Sequence, residues 1–293
     1  MLKITKAIIP VAGLGTRFFP ATKAIAKEML PIVDKPCIQY LVEEAIASGI
    51  KEIIFVISKD KPSIQEHFKT SLKLSKILQE RNKKEELNLL QKIDKMAKFS
   101  YVYQPKPLGD GHAILCAKKL IGKDEPFAVL FGDDIWDCKT PALLQLIKHF
   151  NKFKSPVIAL EKIPKDKTYK YGIVGIQEDK SNPKGLHTLK SFVEKPNPEK
   201  APSNLAITGK YIVTPELFKY LSKAHSSTSD KELRLIDGMR SFIKDQPIYG
   251  CEIEGKRFDT GDKLGYLKAV THFALKDKLL GASFKKHLQS LDL

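Results

Sequence analysis

Apolar positions recur along this chain in two rhythms. Continuous short runs at Ala7–Ala12, Glu52–Ser58 and Pro126–Leu130 with Phe131 read as strands covered on both faces. Between the first two, Ile38, Leu41, Val42 and Ala45 fall at i, i+3, i+4 and i+7. That is one face of a helix; Pro36 suits its first turn and Gly49 its end. A strand, a helix and a strand in that order form a βαβ unit, right-handed by default. The alternation continues with a strand over Phe99–Gln104, a helix opening at Gly109-Asp110-Gly111-His112 and running through Ala117, and a strand over Ser155–Ile163. The pattern predicts a single α/β domain with a mixed, mainly parallel central sheet flanked by helices.

Three segments break the rhythm. Ser63–Lys98 is rich in Lys and Glu, with Leu89, Ile93 and Met96 at helical spacing, and predicts one or two exposed helices that pack one stripe on the body. Lys83-Lys84-Glu85-Glu86 mixes both signs, which argues against a nucleic-acid-binding arm there. From Tyr171 the apolar runs shorten: YGIVGIQ, LKSFVEKPN and NLAITGKYIVTP. Arg257-Phe258-Asp259-Thr260-Gly261 ends a strand, a helix follows over Asp262–Leu275, and helices close the chain.

Composition narrows the partners. A chain of 293 residues is long enough for one large α/β domain or two small ones, and 42% hydrophobic with 29% charged residues is ordinary for a soluble globular protein. Its net charge of +16 favours anionic ligands: nucleotides, sugar phosphates, nucleic acid or a membrane surface. Many lysines sit in Lys73–Lys98 and Lys276–Lys286, where solvated helix faces account for them. No apolar run approaches the length of a membrane span. The N-terminus imitates a secretory signal, but Pro10 and two glycines interrupt its apolar part. Cys37, Cys116, Cys138 and Cys251 are far apart and form neither a disulfide framework nor a zinc pattern, so a reducing, cytoplasmic setting is expected.

The candidate chemistry begins where the first strand breaks at Gly13-Leu14-Gly15, followed at once by Thr16-Arg17 and, ten residues past Arg17, by Lys27. Glycines let backbone N–H groups approach a phosphate, and an Arg and a Lys from the same loop can neutralise a polyphosphate. Phe18 stands where a dinucleotide-binding fingerprint needs a third glycine. Gly122-Lys123, Gly209-Lys210 and Gly255-Lys256 all lack the hydroxyl residue of a Walker loop. Gly132-Asp133-Asp134 follows a wholly apolar strand, whose carboxyl end opens on the crevice where α/β proteins bind ligands. Taken alone, two adjacent acids there fit an N-cap and turn as well as they fit a ligand site.

The strings AGLGTR and TKAIAKEMLPIVDKP resemble the bacterial UDP-glucose pyrophosphorylases within the sugar nucleotidyltransferase superfamily, and the likeness runs from about Lys6 to about Leu288. It implies a Rossmann-like nucleotidyltransferase fold: a nucleotide-binding half over about 6–150, a sugar-binding half over about 151–262 and C-terminal helices over about 263–293. The implied reaction joins UTP and glucose 1-phosphate into UDP-glucose and pyrophosphate with Mg2+. The resemblance sets Ala12, Gly13 and Gly15 on the nucleotide, Arg17 and Lys27 on its phosphates, and Gln104 and Gly111 on uracil. Tyr171, Gly172 and Glu194 fall to the sugar and Lys195 to its phosphate, while Asp133 and Asp259 face the metal. A homodimer or homotetramer that uses the C-terminal helices is expected, with no nucleic-acid or membrane partner. The chain departs from the family's usual pattern in four places: Leu108 stands for Lys, Asp110 for Leu, Ala26 for Pro, and Lys231-Glu232-Leu233-Arg234-Leu235-Ile236-Asp237 for D/G-E-I-Q-L-T-D. A thymidylyltransferase, another NDP-sugar pyrophosphorylase or a catalytically silent subunit of the same fold are the alternatives.

Overall fold

In the computed structural model, which describes residues 3–179, 181–226 and 231–292, the apolar runs become neighbouring strands of one sheet. The first half is built from β1 (Lys6–Pro10), a two-residue hairpin β2 (Pro31–Ile32) and β3 (Lys35–Pro36), α1 (Cys37–Ala47) and β4 (Glu52–Ile57). It continues with α2 (Ser63–Phe68), α3 (Leu72–Glu80), α4 (Lys84–Asp94), β5 (Lys98–Tyr103), α5 (Asp110–Cys116), β6 (Phe127–Leu130), β7 (Asp134–Asp137) and α6 (Ala142–Phe153). The second half runs β8 (Val157–Lys162), β9 (Gly172–Gln177), β10 (Leu186–Glu194), β11 (Leu205–Val213), α7 (Leu217–Leu221), α8 (Leu235–Phe242), β12 (Tyr249–Glu252), β13 (Lys256–Asp259), α9 (Lys263–Lys276) and α10 (Gly281–Gln289).

The sheet has the order β5-β4-β1-β6-β11-β8-β12-β10-β9. It is mixed, with parallel pairings gathered in β5-β4-β1-β6 and at β8-β12, and antiparallel pairings elsewhere. Because β1 is central, its side chains alternate between two cores: Ala7, Ile9 and Val11 pack with α1 and α6, and Ile8 with α5 and α8. Both faces are buried, which is why the run shows no polar alternation. No helix among the described residues is long and apolar enough to cross a membrane.

Two local readings are corrected. The Ser63–Lys98 segment holds three helices rather than one or two, and its last residue already belongs to β5. Ser71 caps α3 by accepting from the Leu74 N–H, and Asn82 turns left-handed at φ 56° before α4, so the chain breaks twice. Of the three, α2 is packed inside through Ile64 and Phe68, the latter stacked on Phe55 and Phe99. The runs after Tyr171 yield the longest strands, β10 and β11, of nine residues each. Polar residues such as Thr188, Lys190 and Ser191 hid that length from an apolar-run reading.

A small ribbon outside the main sheet positions the site. Strands β7 and β13 pair antiparallel, with Asp134 opposite Asp259. The Thr260 N–H and hydroxyl both donate to the Asp133 carbonyl, at 2.8 and 3.0 Å. Beneath lies a buried ionic network. Lys210, fully buried on β11, donates to the Asp134 carbonyl at 2.8 Å and pairs with Glu44 of α1 at 3.2 Å. Asp134 accepts from Trp136 Nε1 and the Gly209 N–H, each at 3.0 Å, and from Arg257 Nε. Replacing Lys210 with Met leaves Glu44 and Asp134 without their shared cation, so Lys210→Met should lose about 3–5 kcal/mol of stability. A fall in the urea unfolding midpoint measures this; an unchanged midpoint would show that the network contributes nothing.

Candidate active site

The loop after β1 wraps around the carboxyl end of the sheet. Gly15 has φ 71°, a left-handed conformation, and a Cβ there would lie 3.3 Å from the Lys27 Cβ. Thr22 ties the loop by donating from Oγ1 to the Gly15 carbonyl at 2.7 Å, and Lys61 donates to the Leu14 and Thr22 carbonyls. The second half of the loop thus turns back under the first. Its two cations then face the far end of the chain: Arg17 Nη1 donates to the Gly261 carbonyl at 3.2 Å, and Lys27 Nζ donates to Asp133 Oδ2 at 2.5 Å. Gly15, Thr16, Arg17, Lys27 and Gly261 line one cleft.

Arg17 also lines an adjoining cavity of about 250 Å3, together with Asp133, Gly172, Glu194, Arg257 and Asp259. Asp133 and Asp259 converge on Gly261, whose N–H donates to Asp259 Oδ1 at 3.0 Å. A Cβ on Gly261 would run into the Asp133 carboxylate and come within 3.2 Å of Asp259 Oδ1. The cap of α9 is instead Asp262, which accepts from the Gly265 N–H, so Asp259 is free of that structural duty.

The electrostatics follow from this crowding. Burial pushes the Asp133 carboxyl up, but the Lys27 ammonium outweighs it and holds Asp133 below its ordinary value. Burial likewise works against the Lys27 charge, and Asp133 and Glu28 outweigh it, so Lys27 stays protonated. Asp259 is raised by burial and by Asp133, with Arg257 pulling the other way. Glu28 lies 3.9 Å from Lys27 and is wholly enclosed, with Oε2 making no hydrogen bond; burial pushes its carboxyl up to about 7.

Toward the sugar half, Glu194 ends β10 opposite Gly172 of β9. Lys195 follows in a left-handed conformation, φ 44°, with its N–H on the Tyr171 carbonyl at 3.1 Å. Its side chain is 55% exposed and 3.8 Å from Glu194 Oε1, outside the cavity lining. Ala12 is buried beneath the glycine loop, and Gly13 is open. Gln104 and Gly111 are not among the residues that line the cavity. Gln104 Nε2 donates to the Gly109 carbonyl at 2.9 Å and meets His112 Nδ1 at 3.0 Å, while the Gly111 N–H donates to the Leu233 carbonyl at 2.9 Å. The Gly111 N–H is therefore committed to the chain itself. The reason is tertiary: Leu233 pairs with the 108–111 turn from both sides, its own N–H donating to the Leu108 carbonyl at 2.9 Å.

Sequence reasoning missed Arg257, Tyr211, Asp110 and Arg234, all of which line the cavity. Arg257 had a usable signal, since it stands two residues before Asp259 on a strand and so points to the same face. Tyr211 had none; it is one of several aromatic residues in apolar runs.

The sequence pattern of the nucleotidyl transferase family matches residues 6–275. The chain is 46% identical to a UTP–glucose-1-phosphate uridylyltransferase of Bacillus subtilis over 281 residues, 96% of this chain and 94% of that one. Its fold is similar to that of a UTP-bound UGPase from Acinetobacter baumannii, with a TM-score of 0.91 at 36% identity over 99% of this chain and all of that one. It is also similar to a UDP-glucose pyrophosphorylase solved with UDP-glucose, with a TM-score of 0.84 at 38% identity over 94% of this chain and all of that one.

The enclosure of Glu28 makes a pH-dependent prediction. A carboxyl raised from 4.5 to about 7 on folding binds a proton in the folded chain where the unfolded chain has released it. Stability therefore falls as pH rises from about 4.5 to about 7 and levels off above. Glu28→Gln removes that loss and should be more stable than wild type by about 2–3 kcal/mol at pH 8, with the difference vanishing below pH 4.5. Urea unfolding at the two pH values measures it; an equal difference at both would refute the ionisation.

Proposed function

The chain belongs to the nucleotidyl transferase family, and from that premise we propose that it transfers a uridylyl group from UTP to α-D-glucose 1-phosphate, forming UDP-glucose and releasing pyrophosphate. The observation that carries this reading is the convergence of two cations, Arg17 and Lys27, and two carboxylates, Asp133 and Asp259, on Gly261. The cavity they share has Glu194 and Gly172 in its lining. Relatives named for this reaction match nearly the whole chain.

A phosphate oxygen of the sugar attacks the α-phosphorus of the nucleotide in line, a new P–O bond forms, and the bond to the leaving pyrophosphate breaks. The nucleophile arrives ionised, so no side chain need remove a proton. The work is positioning and neutralising charge. Arg17 and Lys27 hold the β- and γ-phosphates and stabilise the departing pyrophosphate. Glu194 accepts hydrogen bonds from sugar hydroxyls, and Lys195 swings from its exposed position onto the sugar's phosphate.

Asp133 and Asp259 fit a magnesium ion: two hard carboxylates that both reach the position of a Gly261 Cβ. Magnesium takes one or two carboxylates and completes its shell from phosphates and water. When bound, it neutralises phosphate oxygens. The Lys27–Asp133 contact opens as Lys27 turns to the nucleotide's phosphates. Leu264, Leu267, Leu275 and Leu279 are exposed on and just beyond α9, which supports self-association through the C-terminal helices.

Pyrophosphate release with glucose 1-phosphate and UTP, dTTP or CTP tests the reading. UTP should be the fastest, since a pocket discriminates one methyl by about 1–3 kcal/mol; a chain with no activity would refute it. Asp133→Asn should keep the fold and lower magnesium-dependent turnover by about a hundred- to a thousand-fold. Lys195→Ala should raise the KM for glucose 1-phosphate and lower kcat; a change confined to the UTP parameters would assign Lys195 to the wrong substrate.

A further inference from the structure

Two of the departures noted in the sequence, Asp110 and Arg234, meet in the active-site cavity. Both line it, on the stretch of wall that also includes Tyr211, Leu235 and Ile236. Their segments are tied at three points. Leu233 exchanges backbone hydrogen bonds with Leu108 and Gly111, each 2.9 Å, and Asp110 Oδ1 accepts from the Leu235 N–H at 2.7 Å. Gly109 has φ 100°, and neither it nor Gly111 has room for a Cβ: at Gly111 the Cβ would lie 2.8 Å from the Arg234 carbonyl carbon. The Arg234 N–H donates to Asp237 Oδ2 at 3.0 Å, which closes the start of α8. The backbone of Arg234 is thus held on both sides, and Asp110 is one of the groups that hold it.

Burial pushes the Asp110 carboxyl up to about 6, against the pull of the Leu235 N–H and the Arg234 charge. The Arg234 side chain is 20% exposed, and its Nη2 lies 3.9 Å from the exposed Glu232 carboxylate.

We propose that Arg234 recognises the sugar of the acceptor phosphate, and that Asp110 positions it for that contact. The choice of the sugar over the triphosphate follows from which wall Arg234 occupies. Gly15, Thr16 and Lys27 line the neighbouring cleft and Arg17 reaches both, whereas Arg234, Gly172 and Glu194 line the cavity and not the cleft. A guanidinium offers several N–H donors in a fixed plane, which complements the acceptor carboxylate of Glu194 around a ring of hydroxyls. A side chain whose backbone is already fixed loses less freedom on binding. The family pattern usually has Leu and Gln at these two positions, so the pair enters as a compensated exchange of charge, with one acid and one base introduced together.

The inference rests on the function proposed above, and the test separates the two. Arg234→Gln should raise the KM for glucose 1-phosphate about ten-fold and leave kcat and the KM for UTP within about two-fold. Calorimetric binding of UDP-glucose should weaken by the same factor, while binding of UMP, which lacks the sugar, should not change. Asp110→Leu should shift the same parameters in the same direction. Asp110→Asn, which keeps an oxygen for the Leu235 N–H, should stay near wild type. Because Asp110 acts through Arg234, Asp110→Leu should add nothing to Arg234→Gln in the double variant. An Arg234→Gln chain with an unchanged KM for glucose 1-phosphate, or one altered only toward UTP, overturns the proposal. Fully additive effects overturn the positioning role of Asp110. A wild-type chain that binds no UDP-glucose overturns the functional reading and this inference with it, whereas one that binds it as tightly as Arg234→Gln does overturns the inference alone.

Discussion

The ion pair between Asp134 and Arg257 is the interaction on which the site depends. It lies inside the protein, where a lone charge is costly, and each partner is held by others: Asp134 by Trp136, Gly209 and Lys210, and Arg257 by Glu161 at 3.3 Å. Asp134 directly follows Asp133, and Arg257 lies two residues before Asp259. Joining the inner pair therefore joins the loops that carry the outer one. The β7–β13 ribbon and the Thr260 hydrogen bonds to the Asp133 carbonyl set the same register from the backbone. Two carboxylates would repel one another if free; a buried framework keeps them side by side.

That framework explains the charge pattern of the cavity. Lys27 stands against Asp133 and Glu28, Arg257 offsets Asp259, and Lys195 lies 3.8 Å from Glu194, so most of the carboxylates have a cation of the chain near them. The Asp133–Lys27 pair, at 2.5 Å, is the tightest of these contacts. Glu28 stands behind them without a hydrogen bond for Oε2, and its raised pKa marks the cost of enclosing a carboxyl at this point.

The sheet divides this work. Its parallel strands β4, β1 and β6 end together and deliver the glycine loop and Asp133 to one edge. The antiparallel β11 lies beside β6 and runs the opposite way, so Gly209 meets Phe131 at that same edge, its carbonyl accepting from the Phe131 N–H at 2.7 Å. The long strand β10 and its neighbour β9 then bring Glu194 and Gly172 across to face the cavity. The two halves of the chain thus meet over one continuous sheet.

Much of this was legible in the order of residues. Continuous apolar runs marked the buried strands because β1, β4 and β6 are covered on both faces, and a glycine loop with Arg17 and Lys27 needs only local chain geometry to be recognised. Alternation did not separate Asp133 from Asp134, since both line the one cavity; what sets Asp134 apart is its commitment to Trp136, Gly209 and Arg257. The breaks in Ser63–Lys98 depended on a cap at Ser71 and a left-handed Asn82, which periodicity does not register. The remainder was settled by partners far off in the chain. The Gly111 N–H is committed to Leu233, Asp110 to Leu235, and Asp134 to Arg257. A hydrogen-bond donor or a buried charge takes its role from the group that satisfies it, and where that group lies more than a hundred residues away, only the folded chain brings the two together.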